Sequence, residues 1–227
     1  MTPDRFDYGA AGREYWISER GEIARYLVTS NLADLRRFLD EVEDFVDRAE
    51  SSEVEDIRRR FGPNVEWAEH YPVHWQDVIG AQLRQAFIVS LMSATEWHTT
   101  LMYEATRALL QVQRAPGRRP RGTLGRSRQY LTRVAHYATP AADVWNSMES
   151  LYLVRSILVH NAAMLDRSRE RANVTQFIGT APGIDAQSGF LTIRKEFCVF
   201  AHSRVEEFFA GLHRGFVDLC QRLEAAG

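Results

Sequence analysis

The strongest constraint on the fold is an apolar stripe near the C-terminal end of the sequence. Apolar side chains recur there every three or four residues, which is the spacing that places them on one face of an α-helix. The pattern predicts a long helix packed in a helical bundle. The side chains of this stripe are Val205, Phe208, Phe209, Leu212, Phe216, Leu219 and Leu223.

Helical spacing also recurs in earlier parts of the chain, where Pro and Gly separate the periodic stretches. A possible capping box at Ser52 and Glu55 predicts a break in the first of them, with a short helix continuing to Arg60. Pro140 is expected in the first turn of the helix before the final one. The predicted helices cover residues 22–50, 52–60, 76–113, 130–137 and about 140–166.

Two short apolar runs precede the predicted C-terminal helix. Residues 174–178 and 190–193 are β-like, and Pro182-Gly183 and Ser188-Gly189 lie between them, which predicts a hairpin. The sequence therefore predicts an all-α bundle with a small β-hairpin before the C-terminal helix.

Size and composition favour a protein of one domain. The 227 residues are 45% hydrophobic, enough for one substantial core. The first residues have no apolar signal-peptide core, and the longest apolar runs are only a few residues, which predicts neither secretion nor membrane spanning. We expect a cytoplasmic protein. Cys198 and Cys220 share one predicted helix about 33 Å apart, so we expect reduced, buried thiols.

Charge is unevenly distributed along the chain. Residues 1–75 hold seventeen acidic side chains and ten arginines, whereas residues 105–142 hold eight arginines and no acid. Residues 114–128 are predicted to form a loop because of their Pro and Gly content. Its arginines can bind RNA phosphates; alternatively, they are solvated or pair with the acidic N-terminal part. The candidate RNA contacts are Arg126, Arg128 and Arg133.

The stretch RSILVHNAA, residues 155–163, places polar residues within an apolar helical run. With about 100° per residue and Arg155 at 0°, the apolar stripe of this helix spans about 280° to 20°. Arg155 therefore lies at the edge of the stripe, while Ser156 and His160 lie about 100° and 140° away. A buried guanidinium needs a partner. From the residues alone, this partner is Glu96, Glu149, a phosphate, water or another subunit, and His160 can equally be an ordinary surface histidine.

An Arg, four residues, then His and Asn, on a late helix of an all-α bundle, resembles the motif of the HEPN superfamily. The preceding helical phrase LMSATEWHTTLMYEA is similar as well. The resemblance covers about residues 76–224. It implies a HEPN-like helical domain over 76–227, with residues 1–75 as a helical extension or as the first part of the bundle.

The resemblance implies a metal-independent endoribonuclease of toxin or antiviral-defence type. Its motif helices form a homodimer, so that two copies of the motif line one cleft. By this resemblance Arg155 holds the scissile phosphate and His160 exchanges a proton with the ribose. Ser156, Asn161, Glu96 and Glu149 are candidate supporting residues. Ser156 stands where active members often have Asn, Asp or His. An antitoxin or a defence-system partner is also implied.

The sequence also allows two other classes of function. The first is a non-catalytic HEPN-like module that binds RNA, a nucleotide or a partner protein, and the second is an RNA-independent assembly subunit. No cofactor is expected, since a Gly-rich phosphate loop is missing from the sequence. No metal site is expected either, because Pro72 interrupts the spacing between His70 and His74. Cys198 and His202 are expected to be a core and a surface residue.

Overall fold

The structure, a computed structural model, describes residues 14–69, 74–112 and 122–226. It is mostly helical, with a two-stranded antiparallel hairpin before the last helix, as the sequence predicts. The α-helices of the described residues are α1 (Glu22–Phe61), α2 (Ala81–Leu110), α3 (Gly122–Arg133), α4 (Ala142–His160), α5 (Arg171–Ile178) and α6 (Lys195–Ala226), and the strands are β1 (Ile184–Gln187) and β2 (Phe190–Ile193).

The first helix is one uninterrupted element, and the predicted break at Ser52 is wrong. Ile57 is 7% exposed, so the buried face continues beyond that position. Burial of a continued stripe outweighs the preference of one serine for a helix start. The helix ends where the sequence predicts, because Gly62 adopts a φ of 103° and donates its N–H to the carbonyl of Arg58 at 2.9 Å.

The second long helix is preceded by a wide π-type turn over Trp75–Gly80. A Cβ atom at Gly80 would lie 3.0 Å from the carbonyl oxygen of Trp75 and 3.2 Å from Nη1 of Arg84. Glycine therefore allows the turn to close around the Arg84 side chain. The predicted helix over 76–113 is confirmed, with this widened first turn and an earlier end at Leu110.

The prediction of a strand over residues 174–178 is wrong, because these residues belong to α5. A five-residue apolar run does not distinguish a buried strand from a buried helical turn. The first strand is instead β1, which pairs with β2 in the register Ile184↔Ile193. Ser188 and Gly189 connect the strands with φ values of 50° and 82°, which are typical of a tight hairpin turn.

The chain divides into two compact units. The first comprises residues 1–32, 92–152 and 203–227, and the second comprises residues 33–91 and 153–202. Helices α1, α2, α4 and α6 thus each contribute residues to both units. The predicted division at residue 75 stays a prediction.

In the first unit, aromatic side chains of α6 form much of the core. Trp145 packs edge-on against Phe208 with ring centroids 4.8 Å apart, and Trp16 packs likewise against Phe216 at 5.5 Å. A Cβ atom at Gly211 would lie 2.9 Å from Pro140. The missing side chain at Gly211 therefore lets the segment before α4 approach α6 closely.

In the second unit, the hairpin packs on the turn before α6. A Cβ atom at Gly183 would lie 2.5 Å from the backbone nitrogen of Phe197, and Gly183 accepts a hydrogen bond from Arg194 N–H at 2.8 Å. Phe177 of α5 packs against Phe197 with ring centroids 6.2 Å apart. These contacts hold the hairpin against the first turn of α6.

Within the described part of the chain, the structure contains no helix with the length and apolar character needed to cross a membrane.

Candidate functional site

Helix α4 carries the predicted catalytic pair, but its ends differ from the prediction. It begins at Ala142 and ends at His160, six residues before the predicted end at Asp166. After His160 the backbone leaves the helix, because Ala162 and Ala163 have φ values of 49° and 64°. The carbonyl of Ile157 accepts hydrogen bonds from the N–H groups of both Asn161 (3.0 Å) and Ala163 (3.3 Å). His160 therefore lies at the edge of a sharp turn.

These two alanines adopt an unfavourable backbone conformation. A left-handed φ costs a residue with a Cβ atom about 1–2 kcal/mol. Two consecutive alanines in this region store strain directly after the motif, and strain of this kind clusters at functional sites. The turn also places the backbone oxygen of Ala163 where it accepts a hydrogen bond from Leu191 N–H of β2 at 2.9 Å.

Arg155 is half-buried, and the residues one helical turn away on either side, Leu151 and Leu158, are 0% and 8% exposed. Its Nε atom has no exposed surface and no hydrogen-bond partner among the described residues. A buried N–H without an acceptor destabilises a protein by about 1–3 kcal/mol. Nε of Arg155 is therefore a desolvated donor without an acceptor among the described residues.

Two acidic side chains are the expected protein partners of Arg155. Glu149 instead accepts a hydrogen bond from Arg128 Nη1 at 3.0 Å. Glu96 is half-buried, and its backbone carbonyl accepts the hydroxyl of Thr100 at 2.8 Å. The predicted salt bridge from Arg155 to Glu96 or Glu149 is therefore not seen, and Nε of Arg155 has no acceptor among the described residues.

His160 is exposed, and Ser156 is half-buried between the two predicted catalytic residues. Five residues of helix separate Arg155 from His160 by about 7.5 Å along the axis and about 140° around it. The two side chains of one α4 helix therefore point in different directions.

The predicted RNA contacts lie on helix α3, so the prediction of a loop through residue 128 is wrong over the described residues 122–128. Leu124, Ser127 and Leu131 are at most 3% exposed and repeat with helical spacing. This burial outweighs the cost of about 1 kcal/mol for an interior glycine such as Gly125. In place of the predicted helix over 130–137, the structure has α3, which begins earlier, at Gly122, and ends at Arg133.

The three arginines of α3 differ in their surroundings. Arg126 and Arg133 are exposed and lie two turns apart on one face. Arg128 points elsewhere and donates hydrogen bonds to Asn146 (2.9 Å) and Glu149. Arg128 thus pairs with an acidic group of α4 and not with the acidic N-terminal part that the sequence suggested, whereas the side chains of Arg126 and Arg133 are exposed to solvent. Residues 114–121 of the arginine-rich segment lie outside the described residues.

A second polar cluster, which sequence reasoning missed, lies in the second unit. Arg84 and Glu43 are 8% and 3% exposed and form a bidentate ion pair with N–O distances of 2.8 and 2.7 Å. Arg84 Nη2 also donates to Oε1 of Gln76 at 2.9 Å. The carboxylate of Glu43 and burial act in opposite directions on the pKa of Arg84, and the net effect raises it. The guanidinium therefore stays charged and fully engaged.

The ion pair borders an open cavity of about 540 Å³ that is lined mainly by polar side chains. The signal that could have found it is a charge at an apolar stripe position. Arg84 precedes Phe87, Ile88 and Leu91 at helical spacing, and all three of these are fully buried. Because Arg84 is saturated with protein partners, we assign it to structure rather than to catalysis.

The other cysteine and histidine side chains that were considered as site residues have ordinary structural roles. Cys198 is in the core as predicted, and burial raises the pKa of its thiol to about 12. His202 is only 3% exposed, so the prediction of a surface residue is wrong; the buried stripe of α6 is wider than its Leu and Phe residues indicate. Both cysteines are free thiols; Cys198 is buried and Cys220 is half-buried.

A metal centre is not supported by the described residues, which contain no cluster of three or more His, Cys, Asp or Glu side chains able to hold an ion. Nε2 of His74 lies 3.4 Å from Oε2 of Glu53. His70, the other histidine of this sequence spacing, lies outside the described residues. Burial lowers the pKa of His98, whose ring packs edge-on against Phe209. His98 is therefore a neutral core-facing side chain.

No family model, curated protein or solved structure matches this chain.

Proposed function

We propose that the protein is a metal-independent endoribonuclease of toxin or antiviral-defence type, a HEPN-like homodimer whose catalytic residues are Arg155 and His160. The observation that carries the proposal is the unsatisfied Nε of Arg155, half-buried on the apolar side of the helix that ends at the exposed His160. A guanidinium held in this way favours an anion with several acceptor oxygens, and a phosphodiester is such an anion.

The reaction needs one proton transfer at each of two oxygens. The ribose 2′-hydroxyl attacks phosphorus, the bond from phosphorus to the 5′-oxygen breaks, and the products are a 2′,3′-cyclic phosphate and a 5′-hydroxyl. His160 takes the proton from the 2′-hydroxyl or gives one to the leaving 5′-oxygen. Arg155 holds the phosphate and stabilises the charge that grows on its oxygens in the transition state.

The divergence of the two side chains supports a site shared by two copies of the chain. Since Arg155 and His160 of one α4 helix lie about 140° apart, we propose that Arg155 of one protomer acts with His160 of the other. Ser156, between them on the helix, donates a hydrogen bond to the phosphate. Asn161 follows His160 into the strained turn and fixes the end of the helix through its N–H.

Three further side chains have supporting parts in this proposal. Arg126 and Arg133 of α3 bind flanking RNA phosphates, because both are exposed on one helical face. Glu149 orients Arg128 through their ion pair.

The test is RNA cleavage in the presence of a chelator. Wild type is expected to release 2′,3′-cyclic phosphate ends, and Arg155→Ala and His160→Ala are each expected to reduce the rate by about 100-fold or more. The matched controls are the exposed Arg214→Ala and His136→Asn, since asparagine tolerates the φ of 55° at position 136. Circular dichroism verifies that the variants fold. Cleavage that persists in both catalytic variants would refute the assignment.

Mixing the two inactive variants tests the shared site. In a heterodimer of Arg155→Ala with His160→Ala, one composite site keeps both residues, so an equilibrated equal mixture should recover about a quarter of the wild-type rate. A site built from one chain recovers nothing. If wild type binds RNA without cleaving it, the protein is instead the non-catalytic module that the sequence also allows.

A further inference from the structure

The chain that follows His160 is fixed to the start of strand β2 by two backbone hydrogen bonds. Leu191 N–H donates to the carbonyl of Ala163 at 2.9 Å, and Leu165 N–H donates to the carbonyl of Gly189 at 2.8 Å. All of these residues belong to the second unit. The start of β2 is therefore held beside the turn that carries the predicted catalytic histidine.

Phe190 is the residue that these two hydrogen bonds enclose. It forms an antiparallel bridge with Met164, and the Cα atoms of two residues paired in this way lie about 4.5 Å apart. Met164 N–H donates to the carbonyl of Asn161 at 2.9 Å, which closes a turn with Cα atoms less than about 7 Å apart. With the step of about 3.8 Å from Asn161 to His160, the Cα atoms of Phe190 and His160 lie within about 16 Å. A few nucleotides span this distance.

The phenyl ring of Phe190 is exposed at a position where the fold does not require an apolar side chain. Along β2, Leu191 and Ile193 are buried, so Phe190 and Thr192 lie on the opposite face of the strand. The outward face of a hairpin usually carries polar side chains, as it does at Thr192. Phe190 is nevertheless 45% exposed. Its ring therefore presents a flat apolar surface to solvent close to His160.

The segment that pairs with Phe190 carries a small excess of positive charge. Residues 164–171 hold three arginines and two acidic side chains. Asp166 forms an ion pair with Arg171 at 3.0 Å, so its charge is balanced. Arg167 and Arg169 are exposed. An exposed aromatic ring beside arginines is the combination with which proteins hold a nucleic-acid strand, by stacking on a base and by contacts with phosphates.

We propose that Phe190 positions the RNA by stacking on an unpaired base close to the bond that is cleaved. This inference rests on the proposed function, because it places that base beside His160 of the same protomer. Stacking accepts any of the four bases, since each of them has a flat π-face. The bases of a duplex are stacked on one another and out of reach of the ring. Arg167 binds a phosphate of the same strand.

The first experiment measures binding of a labelled single-stranded oligoribonucleotide by fluorescence anisotropy. It uses the His160→Ala variant with a chelator, so that cleavage does not consume the probe. Adding Phe190→Leu, which keeps an apolar side chain but removes the ring, should weaken binding by about 10-fold. Adding Phe190→Tyr keeps the ring and should change Kd by less than about 3-fold. The matched control is Phe38→Leu, which removes another exposed ring of the second unit and should leave Kd unchanged.

The second experiment removes the base instead of the ring. Abasic ribose is placed in turn at each position near the mapped cleavage site. At one position it should slow wild-type cleavage as much as Phe190→Leu does, and the two changes should not add, because both remove the same stacked pair.

The outcomes separate this inference from the proposed function. If wild type cleaves RNA and Phe190→Leu binds and cleaves it equally well, or if the abasic and Phe190→Leu losses add, the stacking is wrong and the ribonuclease stands. If RNA binds without being cleaved and Phe190→Leu weakens that binding, the stacking is supported and the ribonuclease is wrong. If RNA does not bind, both are wrong.

Discussion

Replacement of Glu43 by leucine is expected to lower the free energy of unfolding by about 3–5 kcal/mol. The burial and the hydrogen bonds of Glu43 explain the size of this loss of stability. Both partners of the ion pair are nearly inaccessible to water, and the carboxylate accepts two charged hydrogen bonds, from Nε and Nη2 of Arg84. Each such bond contributes about 1.5–3 kcal/mol. Without the carboxylate, Gln76 is the one described residue that still accepts hydrogen bonds from Arg84, and a buried positive charge is left largely unpaired.

Removing both charges should restore most of the stability. In the double variant Glu43→Leu/Arg84→Met no unpaired charge remains, and apolar replacements of buried ion pairs are often neutral or stabilising. The double variant should therefore be more stable than Glu43→Leu alone, with a coupling energy of about 3 kcal/mol between the two sites.

Urea unfolding followed by far-UV circular dichroism measures these changes. The matched control is Asp40→Leu, on the same helix. Asp40 pairs with Arg36 at the surface, where the side chains are 51% and 40% exposed. That exposed pair contributes little, so the control should change stability by at most about 0.5 kcal/mol. A cost below about 1 kcal/mol for Glu43→Leu, or a double variant as unstable as the sum of the single variants, would refute the reasoning.

Two further predictions concern the backbone and the pH dependence. Ala162→Gly should raise the free energy of unfolding by about 0.5–1 kcal/mol in urea, because relief of a left-handed alanine exceeds the entropy that glycine adds to the unfolded chain; destabilisation would contradict the strained turn. Burial lowers the pKa of His98 below 6.5 in the folded state, so the unfolded chain takes up the proton first. Stability is therefore complete above pH 6.5 and falls as the pH falls from there toward the folded-state pKa. His98→Gln should show a smaller loss between pH 7.5 and pH 5, and an unchanged loss would contradict this assignment.

Periodicity predicted the long helices because many apolar positions act together. The stripe over residues 205–223 belongs to α6, which extends over Lys195–Ala226. Short signals failed where burial outweighed them. Ser52 lies inside a helix instead of capping one, and Val174, 1% exposed, is a helical core residue. Sequence spacing also hides contacts between distant elements, so nothing local to Glu43 indicated its partner 41 residues away.

In the candidate site too, local periodicity predicts some features, while contacts between distant elements decide the others. The helix and the position of Arg155 beside apolar neighbours follow from the periodicity of α4. The partner of Glu149 does not, because Arg128 comes from another helix whose existence depends on tertiary packing. The early end of α4 at His160 was equally hidden, since the two alanines that leave the helix are good helix formers by propensity.

Because three chain segments build the first unit and two build the second, neither unit corresponds to a continuous stretch of the gene. Each boundary, after Leu32, Leu91, Tyr152 and His202, falls inside a helix. Cutting there would create new helix termini, each with four unsatisfied backbone groups. Neither unit can therefore be cloned as a simple fragment or transferred as a cassette to another protein, and recombination that preserves the fold has to exchange nearly the whole chain.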